Sequence, residues 1–308
     1  MQLSVLRYFL ETARLGSIRR AAEVLYVAPS AVSRQIAIQE QNFGAPLFER
    51  HSGGVRLTPA GEVFAVQARS TLRDFERLRS EIDDLQNLKR GVVRIATVEA
   101  VAAGLLGQAI ETFTREYPGI SFEVQVIGSV LTLAALAREE CDIAIAFEPD
   151  PHKDVTEVQA IDDPIVAIMH PSHPLASRER IQMRELADHW IAMPDRTHVT
   201  RMLLDRVLAE EGLSIKPSLI FNQFALPIAL ARAGEAITFI PRLVARADVQ
   251  SGLLKAVLID HPLLLNTRFV LCQHRTRRPT VPARAFLLEL RRQFDSLDGE
   301  VNGTHGRT

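Results

Sequence analysis

Apolar residues recur at helical spacing three times within the first 45 positions. Leu3, Leu6, Phe9, Leu10 and Ala13 form one stripe, which Gly16-Ser17 ends. Ile18, Ala21, Ala22 and Leu25 form a shorter second stripe, and Val32, Ile36 and residues 39–43 a third that Gly44 stops. Gly53-Gly54 then lies between Leu47-Phe48 and Val55-Leu57, the pattern of a small hairpin. Residues 59–88 read as one long helix, opened by Pro59. Its apolar positions, Phe64, Ala68, Thr71, Phe75, Leu78, Ile82 and Leu85, alternate at spacings of four and three, with Arg, Glu and Asp between them. Such a seam either covers its own domain or pairs with a second chain. Because the helix joins two blocks and has little local core to cover, pairing is the expected role.

From Val92 onward the period switches between two and 3.6. Strands are predicted at 92–96, 122–126, 142–146, 165–169, 218–221, 236–240 and 266–271. Helices are predicted at 101–116, 131–137, 199–211, 225–233 and 282–295. This alternation predicts a mainly parallel sheet with helices on both faces. Its length, with extended crossings near 160 and 262, predicts two α/β lobes: lobe I over about 90–160 and 266–297, lobe II over about 161–265. Residues 298–308 carry Gly299, Gly303 and Gly306 and almost nothing apolar, so a disordered tail is expected.

Composition narrows the class. The 308 residues are 47% hydrophobic and 24% charged, with net charge -1, so no global field draws the chain to nucleic acid or an anionic membrane. The distribution differs from the sum. Residues 1–90 hold 13 Lys/Arg against 10 Asp/Glu, and the remainder holds 23 against 27, a modest basic excess at one end. Cys141 and Cys272 each sit in an apolar run and read as buried free thiols of a reducing compartment rather than a disulfide. Met1-Gln2-Leu3-Ser4 lacks the pattern of a secretory signal, and no apolar run is long enough to span a bilayer. A soluble, cytoplasmic protein with no membrane partner is expected.

Three short helices joined by tight turns are what a helix-turn-helix requires, with one helix across the DNA backbone and the next in the major groove. Ala21 and Ala22 permit the two helices to approach closely. The candidate reading segment is Pro29-Ser30-Ala31-Val32-Ser33-Arg34-Gln35-Ile36. Val32 and Ile36 turn inward with Leu25 and Phe9, leaving Ser30, Ser33, Arg34 and Gln35 outward. Arg can bridge guanine O6/N7 or hold a phosphate, and Gln can pair with adenine.

At these residues the sequence resembles the LysR-type transcriptional regulators. The match takes in Phe9, Gly16-Ser17, Ala21-Ala22, Leu25 and the run from Ser30 to Ile36. It continues through Glu40, Phe43-Gly44, Leu47-Phe48-Glu49-Arg50 and Leu57-Thr58-Pro59-Ala60-Gly61. The resemblance implies an α+β multidomain fold. A winged helix-turn-helix over 1–58 and a dimerising linker helix over 59–89 would precede an effector domain over 90–297, two-lobed and α/β like the periplasmic binding proteins. It also implies DNA, a small-molecule effector and further copies of the chain as partners, as dimers or tetramers that bend DNA; RNA polymerase is a candidate partner. Arg50 and Arg56 fall where a wing would touch phosphate or minor groove. The chain departs from the family at Ala28 and Pro29, where Ser or Thr followed by Gln is common, so the usual helix cap and one base-reading side chain are missing.

In a doubly wound sheet, ligands bind where strands end and helices begin. Thr97, Val98 and Glu99 follow the first strand of the effector block, Ser129 opens a helix, and Phe147 follows the strand 142–146. Thr197, Thr200 and Arg201 surround a helix start, and Asn222 follows the strand 218–221. These positions resemble the family's effector contacts, although Thr97 and Ser129 could equally be helix caps. Where many members place a hydroxyl, this chain has Val98 or Ala100, and Glu99 adds a negative charge. Arg196 and Arg201 are the candidate countercharges for a carboxylate effector.

Enzymatic signatures are missing from the sequence. It has no G-x-S-x-G elbow, phosphate-cradling glycine loop or Rossmann fingerprint, so neither a cofactor nor catalysis is expected. His170-Pro171-Ser172-His173 has no accompanying Cys or carboxylate at ligand spacing and reads as a turn. The rival readings are a transport-type binding protein, an α/β enzyme with a helical appendage, and a regulator that answers to no small molecule.

Overall fold

The computed structural model describes residues 3–84 and 90–305. The chain divides into two compact units, one built from the N-terminal helices and the other from the two sheets that follow.

The first unit contains α1 (Leu3–Leu15), α2 (Ile18–Val24) and α3 (Pro29–Phe43), a hairpin of β1 (Phe48–His51) and β2 (Gly54–Leu57), and α4 (Pro59–Asp84). Its helix boundaries follow from local chemistry. The Ser17 side chain caps α2 by accepting from the Arg20 N–H. Gly44 ends α3 in the left-handed conformation, at φ 65°. Leu6, Phe9 and Leu47 pack with Phe64, Ala65 and Ala68. Burying a side chain such as Phe9 contributes about 1.5–3 kcal/mol. Ala22, Val32 and Ile36 form a smaller cluster where α2 meets α3. The first turns of the α4 seam therefore do cover a local core. Farther along, Phe75, Leu78 and Ile82 stand about half exposed. Leu85, the last seam position, lies outside the described residues.

The second unit holds two sheets, each with helices against it. Lobe I contains β3 (Gly91–Thr97), α5 (Glu99–Val101), a π-helical turn over 102–106, α6 (Gly107–Glu116), β4 (Ile120–Val126), α7 (Ser129–Ala137), β5 (Ile143–Phe147) and β6 (Val155–Asp162). Lobe II contains β7 (Ile165–Met169), β8 (Arg180–Ile181), β9 (Ile191–Pro194), α8 (Val199–Glu210), β10 (Leu219–Phe221), α9 (Ala225–Arg232), β11 (Ile237–Pro241), α10 (Arg242–Gln250), β12 (Lys255–Ile259) and α11 (Pro262–Leu265). The chain then returns to lobe I through β13 (Arg268–His274) and ends in α12 (Val281–His305). Strand order is β4-β3-β5-β13-β6 in one sheet and β10-β9-β11-β7-β12-β8 in the other.

Each sheet is mainly parallel, as strand–helix alternation predicts, with one strand reversed in each. β3 runs parallel to β4 and β5, but β13 is antiparallel to both β5 and β6. β7 is likewise antiparallel to β11 and β12. β7 and β13 are the first strands after the two crossings, and each enters its sheet from the opposite end. The crossing near 262 is helical rather than extended, because Pro262 opens α11 and the His261 side chain accepts from the Leu263 N–H. Where a disordered tail is expected from 298, α12 continues through Gly299 and Gly303 to His305, and residues 306–308 lie outside the described residues. Its backbone hydrogen bonds are local and persist through residues that carry no apolar stripe.

Candidate functional site

The reading segment occupies the start of α3. Ala28 is its N-cap and makes no side-chain cap hydrogen bond, while Pro29 supplies the first helical residue with no orphan N–H. The missing family cap is thus replaced by a proline start. Val32 and Ile36 are buried, and Pro29, Ser30 and Arg34 are exposed. Helical geometry puts Ser30, Arg34 and Gln41 in one outer row, with Ser33 beside it. Ser33 and Gln35 are both half-buried, flanking the outer row rather than fully outward as expected, and Gln35 lies toward the core stripe because it follows Val32 by three residues.

Arg50 and Arg56 are both exposed on the hairpin, where Glu49 pairs with Arg56 across the strands. Arg56 Nε lies 2.6 Å from Glu49 Oε1, so Arg56 carries a partner that Arg50 lacks on that face of the register. The wing is held from two sides. Glu40, on α3, accepts from the N–H groups of Leu47 at 2.8 Å and Phe48 at 3.1 Å. The Val55 N–H donates to the Gly16 carbonyl at 2.9 Å. Sequence reasoning passed over Tyr26, which stands 95% exposed at φ 55° in the turn between α2 and α3. A non-glycine residue held in that conformation stores about 1 kcal/mol of strain and projects an aromatic ring beside the reading helix.

In the second unit, a cavity of about 680 Å³ opens between the lobes. Its lobe I wall includes Val98, Glu99, Ser129 and Phe147; Thr197, Thr200 and Asn222 lie on its lobe II wall. Seven of the nine effector candidates are therefore brought together. Thr97 is not among them: it is fully buried in β3, and its hydroxyl donates to the Ile145 carbonyl at 3.3 Å. Nor is Arg201, whose guanidinium donates to Asp205 Oδ1 at 2.7 Å and to the Pro194 carbonyl at 3.1 Å. Arg196, exposed at the rim, is the guanidinium that does line the cavity.

Ser129 is not a helix cap. Its Oγ donates to the Phe147 carbonyl at 2.7 Å and accepts the Phe147 N–H at 3.1 Å, tying α7 to the end of β5. The Thr197 hydroxyl is likewise engaged, by Asp195, whose carboxyl is held below the usual carboxylate range first by that hydrogen bond. Glu99 reaches across the cleft, where its Oε1 accepts the Phe224 N–H at 2.9 Å. His198 stacks edge-on against Phe224 with ring centres 5.4 Å apart, and its Nε2 lies 3.1 Å from the Asn222 carbonyl. Gln223 and Phe224, which follow Asn222 in the segment expected to contact effector, also line the cavity; Met202 was left out. Only its position in the first turn of α8 could have flagged Met202.

The histidines at 170 and 173 serve a turn. Each ring accepts a backbone N–H two residues on, from Ser172 and Leu175 respectively. Among the described residues, no cluster of three or more His, Cys, Asp or Glu could hold a metal. No described helix is long and apolar enough to cross a membrane.

An N-terminal helix-turn-helix with a wing, followed by a two-lobed α/β unit with a cleft, defines a ligand-responsive DNA-binding regulator. Residues 3–62 match the bacterial regulatory helix-turn-helix protein, lysR family, and residues 86–295 match the LysR substrate binding domain. The chain belongs to the LysR family of DNA-binding transcriptional regulators. It is 26% identical over 295 residues to the HTH-type transcriptional regulator GltR of Bacillus subtilis, covering 96% of this chain and 97% of that one. With the transcriptional dual regulator GltC of the same organism it shares 28% identity over 243 residues, or 78% of this chain and 81% of that one. A full-length OxyR variant from Pseudomonas aeruginosa has a similar fold, with TM-score 0.71 and 21% identity over 96% of this chain and 94% of that one. So does full-length CbnR complexed with its target DNA, with TM-score 0.63 and 18% identity over 95% of this chain and all of that one. The effector binding domain of QuiR in complex with shikimate matches 67% of this chain and 98% of that domain, with TM-score 0.55 and 18% identity.

Proposed function

We propose that this regulator reads its operator with the outer row of α3 and responds to a small molecule held between its lobes. Pro29, Ser30, Ser33, Arg34 and Gln35 enter the major groove, and Arg50 and Arg56 of the wing meet phosphate or minor groove. Two chains pair through the exposed part of α4 and present two reading helices to a pseudo-palindromic site; pairs of such dimers form tetramers. Effector binding in the cleft changes operator occupancy through its differential affinity for the two lobe arrangements. The protein works in the cytoplasm, without a cofactor and without turnover.

The observation that carries this reading is the division of α3, with Val32 and Ile36 in the core and Ser30 and Arg34 exposed on the opposite side. The DNA complex of CbnR and the shikimate complex of the QuiR domain, both similar in fold, support it. Gel-shift titration of the full-length protein against fragments of its genome tests it. A salt-sensitive preference for particular fragments is expected, and Arg34→Ala is expected to weaken the preferred complex by about 1–3 kcal/mol. Equal, weak binding to every fragment would remove the regulator reading.

A further inference from the structure

The effector cavity is poor in side-chain donors on its lobe I side, where a carboxylate would need them. Val98 and Ala100 carry no hydroxyl, and the Ser129 hydroxyl is committed to Phe147 in both directions. Glu99 is the one carboxylate in the lining. Its only hydrogen bond among the described residues is the one it accepts from the Phe224 N–H. A carboxylate offers about four lone-pair sites, so this lining residue keeps accepting capacity for a ligand. Opposing cations are few: Arg196 stands exposed at the rim, and the His198 ring is engaged by the Asn222 carbonyl and Phe224.

Around this acceptor the mouth is apolar. Val126, Val130, Leu131 and Met202 line the cavity, and each is at least 49% exposed while it is open. An apolar body laid against them would remove that surface from water. On the lobe II side, Thr200, Asn222 and Gln223 supply neutral polar groups that can meet hydroxyl or carbonyl atoms of a ligand.

The geometry points to an effector with a protonated amine held by Glu99 and an aromatic or branched aliphatic body lying against Val126, Val130, Leu131 and Met202. This rests on the cavity being the effector site. A simple carboxylate would instead meet a like charge in a partly desolvated cleft.

Three probes of similar shape test the assignment on the full-length protein by calorimetry at neutral pH: 3-phenylpropylamine, 3-phenylpropionate and 3-phenylpropionamide. The amine is expected to bind at least about tenfold more tightly than the carboxylate. Glu99→Gln keeps an oxygen for the Phe224 N–H but removes the charge, and is expected to abolish that preference with the unliganded melting temperature little changed. Tighter binding of the carboxylate or the amide overturns the amine class while leaving the cavity as the effector site. An amine preference that survives Glu99→Gln overturns the role of Glu99. Silence from all three overturns the ligand class. The cavity reading is judged separately, by whether a low-molecular-weight metabolite extract alters operator binding.

Discussion

Asp163 and Thr267 bond to each other twice where the chain crosses between its two lobes. The Asp163 N–H donates to the Thr267 carbonyl at 2.8 Å, and the Thr267 hydroxyl donates to the Asp163 carbonyl at 2.6 Å. Both residues are buried, so the two crossings are tied side by side. The Asp163 side chain accepts the Leu243 N–H, at 3.0 and 3.1 Å from its two oxygens, and so caps the start of α10.

That carboxyl has a cost. Burial pushes its pKa up to about 7, against the opposing pull of the Leu243 N–H and the Arg242 charge. Below the ordinary carboxylate range both folded and unfolded chains hold the proton. Between there and about pH 7 the folded chain retains a proton that the unfolded chain has released, so this group's contribution to stability is lost as pH rises. Asp163→Asn keeps an oxygen for Leu243 and removes the titration. We expect the wild type to lose on the order of a few kcal/mol from this group between about pH 4 and pH 7, and the variant to lose none of it. Urea unfolding followed by the single tryptophan, Trp190, at pH 5 and pH 8 checks this; parallel pH dependences in the two proteins would contradict it.

Gly61 is fixed by a neighbour rather than by its own backbone. A Cβ there would lie 2.0 Å from the Leu47 carbonyl oxygen. In an exposed helix, Gly→Ala stabilises by up to about 1 kcal/mol. Here the added methyl forces α4 away from the wing, and Gly61→Ala is expected to destabilise the first unit by about 2–3 kcal/mol. Calorimetry of the full-length protein should show the unfolding transition of the first unit moving down. A rise in that transition would mean the helix and wing can separate freely.

Much of this arrangement could be read from residues alone, and the exceptions have physical causes. The three N-terminal helices, the wing and the reading segment were legible because Gly44, Gly53-Gly54 and Pro59 punctuate a strong apolar period. Strands β6, β8, β9 and β12 were not anticipated: β6 falls where an extended crossing is expected, β8 and β12 are short, and β9 is a short run buried on both faces. The common strand direction was legible, but the reversal of β7 and β13 was not, because alternation of strand and helix says nothing about which end of a sheet a crossing chain enters. In the cavity, helix-start logic located Val98, Ser129 and Thr200 but overreached at Thr97 and Arg201. Their neighbours along the chain line the cleft, while their own side chains are turned to Ile145 and to Asp205.

Neither cysteine is in a disulfide and both are buried, as their apolar surroundings suggested. Desolvation pushes the Cys272 thiol up to about 12, with Glu157 adding to the effect. The thiolate that would react is therefore scarce at neutral pH. Incubation of the native protein with iodoacetamide at pH 7.5 should leave Cys272 unlabelled over a time in which the urea-unfolded chain reacts completely, as read by mass spectrometry. Rapid native labelling would show that the sheet around β13 opens readily.

The exposed part of α4 sets the strongest expectation about assembly. Phe75, Leu78 and Ile82 continue the seam whose earlier members, Phe64 and Ala68, are consumed by the local core. An apolar row spaced at three and four, more than two-fifths exposed on each residue, is costly in water unless a second copy covers it. Each buried Leu or Ile contributes about 1.5–3 kcal/mol, and a symmetric pair buries each position twice. Replacing Leu78 and Ile82 together with Lys should therefore weaken the dimer by at least about a thousandfold, seen by sedimentation as monomer at micromolar concentration. The N-terminal core lies elsewhere on the helix, so circular dichroism should change little. If the double variant sediments as the wild type does, the copies meet through another surface, and the operator would be read by heads spaced in a different way.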